Sequence, residues 1–273
     1  MNREKRSLEF YVLAIFFLVF VLFLYGPLSA ILILSFQGPD GGLTFPLNGV
    51  SLHWFANLFE KQAVGDFGAS FRRSLMLGLM VMIVTVVVSL LAGLAFRRRF
   101  RGSSLLFYAT VASLVVPSII ISLGIGVVFQ QGGLAPAWYS SGFGAHLTWT
   151  LPFGVLIMFA VFNRFSPAYE EAARDLGATS WQTFRHVVLP MITPSLIGVG
   201  LFGFTLSYDE FARSLMTSGT YNTLPLEIYG MTTNVTTPVL YALGTVTTLF
   251  SFTIILVALG IMAMLGRRQA KKS

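Results

Sequence analysis

Cysteine is absent from the 273 residues. That excludes a disulfide framework, a thiolate metal site and a cysteine nucleophile. Charge is scarce: Asp, Glu, Lys and Arg make up 11% of the chain, against about a quarter in soluble domains. No G-x-x-x-x-G-K-[ST] phosphate loop and no H-E-x-x-H pair occurs, so neither ATP chemistry nor zinc hydrolysis is written here. The histidines His53, His146 and His186 are scattered, which suits interfacial or packing roles better than metal ligation. A soluble domain and an internal repeat are also missing.

What remains is apolar. Hydrophobic residues make up 55% of the chain, and the net charge is +7. In a soluble protein that charge would point to nucleic acid. Here the basic residues sit in short clusters between apolar runs, which is the pattern of membrane topology. The first run, Phe10 to Phe36 after Met1 to Arg6, is too long for a signal peptide and reads as an uncleaved span.

A hydrocarbon core about 30 Å thick needs about 20 apolar helical residues. Six segments qualify: 10–36, 74–96, 105–130, 147–163, 193–216 and 239–265. They predict an all-α polytopic protein, a single transmembrane domain over 1–273 with a loop at 164–192. Pro27, Pro117 and Pro152 interrupt three spans, and Gly198, Gly200 and Gly203 thin the fifth. Basic residues mark the cytoplasmic side. Arg3, Lys5 and Arg6, Arg97 to Arg99 with Arg101, Arg164, Arg174 and Arg185, and Arg267, Arg268, Lys271 and Lys272 fall on one side. Together they are 14 of the 18. Lys61, Arg72, Arg73 and Arg213 fall on the other. Both termini are therefore expected in the cytoplasm. On the outer side, Ser51 is placed to cap a short helix carrying Trp54 and Phe55.

The loop between the fourth and fifth spans is built rather than slack. Ser166 suits an N-cap and Pro167 the first helical position. Glu170 and Glu171 follow at the positive end of the helix dipole. Gly177 is placed to end that helix, and Thr179 with Gln182 has capping-box spacing for a second one. Pro190 and Pro194 mark re-entry into the membrane. A connector could manage with four residues. About 28, with Trp181 and Phe184 among them, suggest a partner surface.

The spacing E-A-A-x3-G-x9-[I/V]-x-L-P is met by Glu171, Ala172, Ala173, Gly177, Val187, Leu189 and Pro190. It resembles the EAA signature of permease subunits in binding-protein-dependent ABC importers, and the likeness extends over the whole chain. The resemblance implies a type I importer permease in the bacterial cytoplasmic (inner) membrane, a transport subunit and not an enzyme. It further implies two copies of a separate ABC ATPase carrying the ATP and Mg²⁺, a second homologous permease subunit and an external substrate-binding protein. It makes Glu170, Glu171, Ala172, Ala173, Asp175, Gly177, Leu189 and Pro190 the ATPase-coupling site, with the alanines allowing close seating and Glu171 meeting polar or basic groups. An ion channel could share the helical bundle but would have no use for such a loop.

Cargo chemistry falls on the fifth span, where charges usually face a cavity or a partner. Asp209 lies about 24 Å beyond Thr193 at helical rise, in the outer half. Two readings stand. Tyr208, Asp209, Glu210 and Glu227 could line a cation path, or Asp209 and Glu210 could only brace Arg213 at i+4 and i+3. The string Phe204 to Phe211, followed by Thr223-Leu224-Pro225-Leu226, is similar to the second permease subunit of spermidine/putrescine-type importers, and so is Arg185 to Pro190. That resemblance implies a polyamine. Related branches carry opines, iron, amino acids, sugars and anions. Arg73 before Ser74 departs from the Asn-Ser of related importers and places a cation near the outer end of the second span.

Overall fold

The computed structural model describes residues 7–59, 65–98, 100–234 and 237–270, with side chains as far as Met264. Of the residues used for topology, Arg3, Lys5, Arg6, Lys61, Arg99, Lys271 and Lys272 lie outside that set, as do the side chains of Arg267 and Arg268. Among the described residues every regular element is helical. In order come α1 (Leu8–Leu34), α2 (His53–Asn57), α3 (Phe67–Phe96), α4 (Ser103–Ala112), α5 (Ser118–Gln131), α6 (Phe143–Arg164), α7 (Ala168–Asp175), α8 (Ser180–Thr183), α9 (Leu189–Tyr208), α10 (Leu224–Asn234) and α11 (Val239–Ala270). Short π-helical turns at Trp138–Gly142 and Phe184–Val188 lead into α6 and α9.

Among the described residues five helical stretches are long and apolar enough to cross a bilayer: Leu8–Leu34, Phe67–Phe96, Trp138–Arg164, Ser180–Tyr208 and Val239–Met264. The segment expected as one span over 105–130 is two shorter helices, α4 and α5, with Pro117 capping the second. Proline has no N–H, and it disfavours helical geometry in the residue before it. By contrast, α1 runs through Pro27 and α6 through Pro152 without ending. The second span begins at Phe67, capped by Asp66, whose carboxylate accepts from the Ala69 N–H at 2.9 Å. Arg72 and Arg73 are thus inside the helix rather than before it.

The chain divides into two compact units, residues 1–65 with 230–250 and residues 66–229 with 251–273. In the first, buried Gln37 holds the loop after α1. Its side chain donates to the carbonyls of Gly42 and Thr44 and accepts from the Asn48 N–H. Tyr241 on α11 donates to the Leu43 carbonyl at 2.6 Å. In α2 the Ser51 hydroxyl accepts from His53 N–H, although Leu52 stands in the cap position. Trp54 donates to the Gly38 carbonyl, and Phe55 packs on Phe36.

In the second unit α3, α6 and α9 pack together. Met158 and Phe162 of α6 meet Val188, Ile192, Leu196 and Val199, with Val86, Leu90 and Leu94 of α3 against them. In lipid, helix association rests on close packing and interhelical hydrogen bonds rather than on burial from water. Small residues supply the approach. A Cβ on Gly93 would come within 2.9 Å of Met158 Cβ, and one on Gly203 within 3.3 Å of Thr85. Thr85 also donates to Thr150 at 2.8 Å, joining α3 to α6. Of the three glycines expected to thin the fifth span, Gly200 and Gly203 face α3, while Gly198 faces open space.

Candidate functional site

The segment after α6 forms a capped helical turn as its sequence predicts, with one shift of register. Pro167, not Ser166, stands in the cap position of α7, and its carbonyl accepts from the N–H groups of Glu170 and Glu171. Boundaries of this kind move by a residue with local geometry. At the other end Gly177 has φ +83°. Its N–H bonds the Arg174 carbonyl at 2.8 Å, and the Ala178 N–H bonds that of Ala173 at 3.0 Å. This pair of bonds is the Schellman closure, which favours glycine at the left-handed position. Thr179 then accepts from Gln182 N–H, and Gln182 Oε1 accepts from Thr179 N–H, a complete capping box.

The second short helix is not separate from the membrane. From Ser180 the chain stays helical through the π turn into α9 and on to Tyr208. The wide turn at Phe184–Val188 precedes Pro190, whose ring cannot tolerate a normal turn against the carbonyl four residues back.

The predicted coupling residues divide by face. Glu171, Ala172, Asp175 and Gly177 are exposed, beside exposed Tyr169, Leu176 and Trp181. Glu170 turns the other way, pairing with Arg97 at 2.6 Å and approaching Arg174 at 3.9 Å. Arg97 also lies over the rings of Phe162 and Phe165. Leu189 packs against the α6–α9 core, Ala173 is half-buried and Pro190 is exposed. Glu170 and Leu189 therefore hold the segment in place, while Glu171 and its neighbours present it.

The fifth span ends at Tyr208 rather than 216, so Asp209, Glu210 and Arg213 leave the helix. Arg213 is buried at 0% exposure. Its guanidinium bonds Ser118 at 2.7 Å, Thr148 at 3.3 Å and Glu210 at 3.4 Å, and lies 4.6 Å above the Trp149 ring. Its backbone is held too: the N–H donates to Glu210 Oε1, and the carbonyl accepts from Ser122 and from Thr217. This is bracing, and Glu210 belongs to it. Asp209 does not pair with Arg213; it caps α9 and is exposed.

Two other members of the expected path are interior. Tyr208 is buried, stacked on Phe204 and edge-on to Phe71. Glu227 is buried and accepts from Asp66 N–H at 2.6 Å and from Asn222 at 2.8 Å. It ties the start of α3 to the turn before α10, where Arg73 also donates to the Asn222 carbonyl. Of Tyr208, Asp209, Glu210 and Glu227, only Asp209 is exposed.

His146 proves a packing residue with a specific duty. It bridges Ser207 through Nδ1 and Ser214 through Nε2. The Ser214 hydroxyl already donates to the Glu210 carbonyl, so Nε2 carries the proton and Nδ1 accepts from Ser207. The Glu210–Arg213 pair is one of the two readings the sequence offers; the His146 bridge and the bonds of Arg213 to Ser118 and Thr148 are not legible there. The available signal was a lone histidine and a lone arginine beside apolar runs.

The family described as "Binding-protein-dependent transport system inner membrane component" matches residues 85–271. The spermidine/putrescine transport system permease protein PotC of Haemophilus influenzae is 27% identical over 251 residues, 92% of this chain and 96% of that protein. The putrescine transport system permease protein PotI of Escherichia coli K12 is 28% identical over 231 residues, 82% of this chain and 80% of that one. Among solved structures, a chain of a bacterial ABC transporter that imports the acidic polysaccharide alginate superposes with a TM-score of 0.72, covering 94% of this chain and 95% of its own. Its sequence identity is 16%, so the likeness is one of fold.

Proposed function

From the premise that the chain belongs to the binding-protein-dependent transport system inner membrane component family, as a permease subunit of an ABC importer and a multi-pass membrane protein, we propose that its cargo is a polyamine. The observation that carries this reading is similarity to polyamine permeases along nearly the full chain. The exposed carboxylate of Asp209 supplies local support, since a flexible polycation needs acidic contacts. Opine, iron, amino-acid and sugar cargoes are the alternatives within the same transporter class.

The mechanical half of the proposal rests on α7 and the turn after it. A separate ATPase, in two copies with their own ATP and Mg²⁺, docks on the exposed side carrying Glu171, Ala172, Asp175 and Gly177, while Glu170 and Leu189 transmit its movement into α3 and α9. The support is geometric: the first group is exposed, and the second is tied to the core. An external binding protein delivers the cargo, in line with the family description, and a homologous permease subunit completes the path. The sixth crossing is made by α4 and α5 in tandem. Helices of 10 and 14 residues together match the roughly 20 residues a crossing needs. The whole chain then acts as one transmembrane domain in the bacterial inner membrane, with both termini and the 164–192 loop cytoplasmic.

Asp209→Asn tests the cargo assignment. In vesicles containing the assembled importer, loss of one charged contact is expected to lower polyamine transport about tenfold, with the ATPase still bound. Unchanged transport would remove Asp209 from the path.

A further inference from the structure

Between the end of α3 and the α7–α8 segment lies a polar cavity of about 400 Å³. Its charged lining consists of Arg97, Arg98 and Arg174 against one carboxylate, Glu170. Ser180 and Thr183 also line it. Glu170 is committed to Arg97 at 2.6 Å and only approaches Arg174, at 3.9 Å. Arg98 is exposed and takes part in no ion pair among the described residues. Three arginines thus line one concave polar space that holds a single carboxylate, itself paired with Arg97.

We propose that this cavity is a binding site for a phosphate-bearing anion. Guanidinium groups recognise phosphate oxygens through paired, charge-assisted hydrogen bonds, and a serine hydroxyl can add another donor. The level in the membrane fits as well. The apolar stretch of α3 ends at Phe96, immediately before Arg97 and Arg98, where an acyl-anchored phosphate would lie. The cavity uses the Glu170–Arg174 side of α7, about 100° around the helix from Glu171 and Asp175. Occupancy is therefore compatible with a partner on the exposed side. A bound phosphate would bridge Arg98, just past the end of α3, to Arg174 on α7, reinforcing the Arg97–Glu170 tie and stiffening the segment against the transmembrane core. Two sources share this chemistry, an anionic phospholipid headgroup and free phosphate. The site does not depend on the identity of the cargo.

The test uses the full permease–ATPase complex in nanodiscs. Native mass spectrometry on discs of mixed phosphatidylglycerol and phosphatidylcholine reads lipid retention. Thermal unfolding in pure phosphatidylcholine discs, with sodium phosphate against sodium chloride at equal ionic strength, reads free anion. If a headgroup is the ligand, the wild-type complex retains phosphatidylglycerol preferentially, and Arg98→Gln with Arg174→Gln weakens retention about tenfold or more. If free phosphate is the ligand, it raises the Tm of wild type but not of the double variant. In either case Arg185→Gln, which removes an exposed charge outside the cavity, behaves as wild type. Should the double variant fail to assemble, Arg98→Gln alone takes its place. The proposal is overturned if wild type shows neither lipid preference nor phosphate-dependent stabilisation, or if Arg185→Gln abolishes the response as fully as the cavity variants.

Discussion

Arg213 shows what a single charge does when it is taken out of water beside a membrane span. Ser118, Thr148, Glu210 and the Trp149 ring surround its guanidinium, and the segment after α9 is fixed to α5 and α6 as a result. Removing one member of a buried pair leaves the other uncompensated, at a cost of about 3–5 kcal/mol. Arg213→Met should therefore lower the unfolding midpoint of the detergent-solubilised protein far more than Arg213→Met combined with Glu210→Gln. A double-mutant cycle on thermal unfolding reads the difference. Simple additivity of the two substitutions would mean that the pair does not brace the turn. Asp209, one residue from Glu210 in sequence, should behave differently: it is exposed, and Asp209→Asn should leave the unfolding free energy within about 0.5 kcal/mol of wild type.

At the scale of elements, the α7–α8 turn is where sequence and structure agree best. Gly177, Thr179 and Gln182 act within a few residues of one another, so their roles are legible from spacing alone. Replacing Gly177 with Val forces a β-branched residue into the left-handed region, at a cost of roughly 1–2 kcal/mol, and would swing α7 away from its seat. Glu171→Lys reverses a charge on the exposed side without touching the core. Both are expected to leave membrane insertion intact while ATP hydrolysis no longer drives uptake, so transport per ATP in vesicles falls severalfold. Normal coupling in both variants would exclude this segment as the docking element. The features that sequence reasoning missed depend on distant partners. Glu227 meets Asp66 across 161 positions, and Arg213 meets Ser118 across 95. No local periodicity encodes such pairs. The end of α9 differs: the span expected over 193–216 includes Asp209, Glu210 and Arg213, and the helix stops at Tyr208, just before those charges. Pro117 was visible as an interruption; that it divides the run into two helices, when Pro27 and Pro152 do not divide theirs, depends on the surrounding packing.

Over the whole molecule, the fold of an importer permease is paired, in the proposed reading, with cargo chemistry at one exposed acid, Asp209. Helix α1 and the apolar stretch of α11 are each only 6% buried along their most hydrophobic windows, so both offer surface for lipid or a second permease subunit to cover. In the proposed reading the segment from Glu171 to Pro190 couples the chain to a motor, but it says nothing of what crosses. That question turns on Asp209 and on the kinship with polyamine permeases. The most direct measurement is ATP hydrolysis by the assembled complex of this chain, its partner permease, the ATPase and the cognate binding protein, in proteoliposomes. Spermidine or putrescine presented by the binding protein should stimulate hydrolysis severalfold, and sugars or anions should not. Stimulation by a sugar or an anion, with no response to either polyamine, would contradict the account.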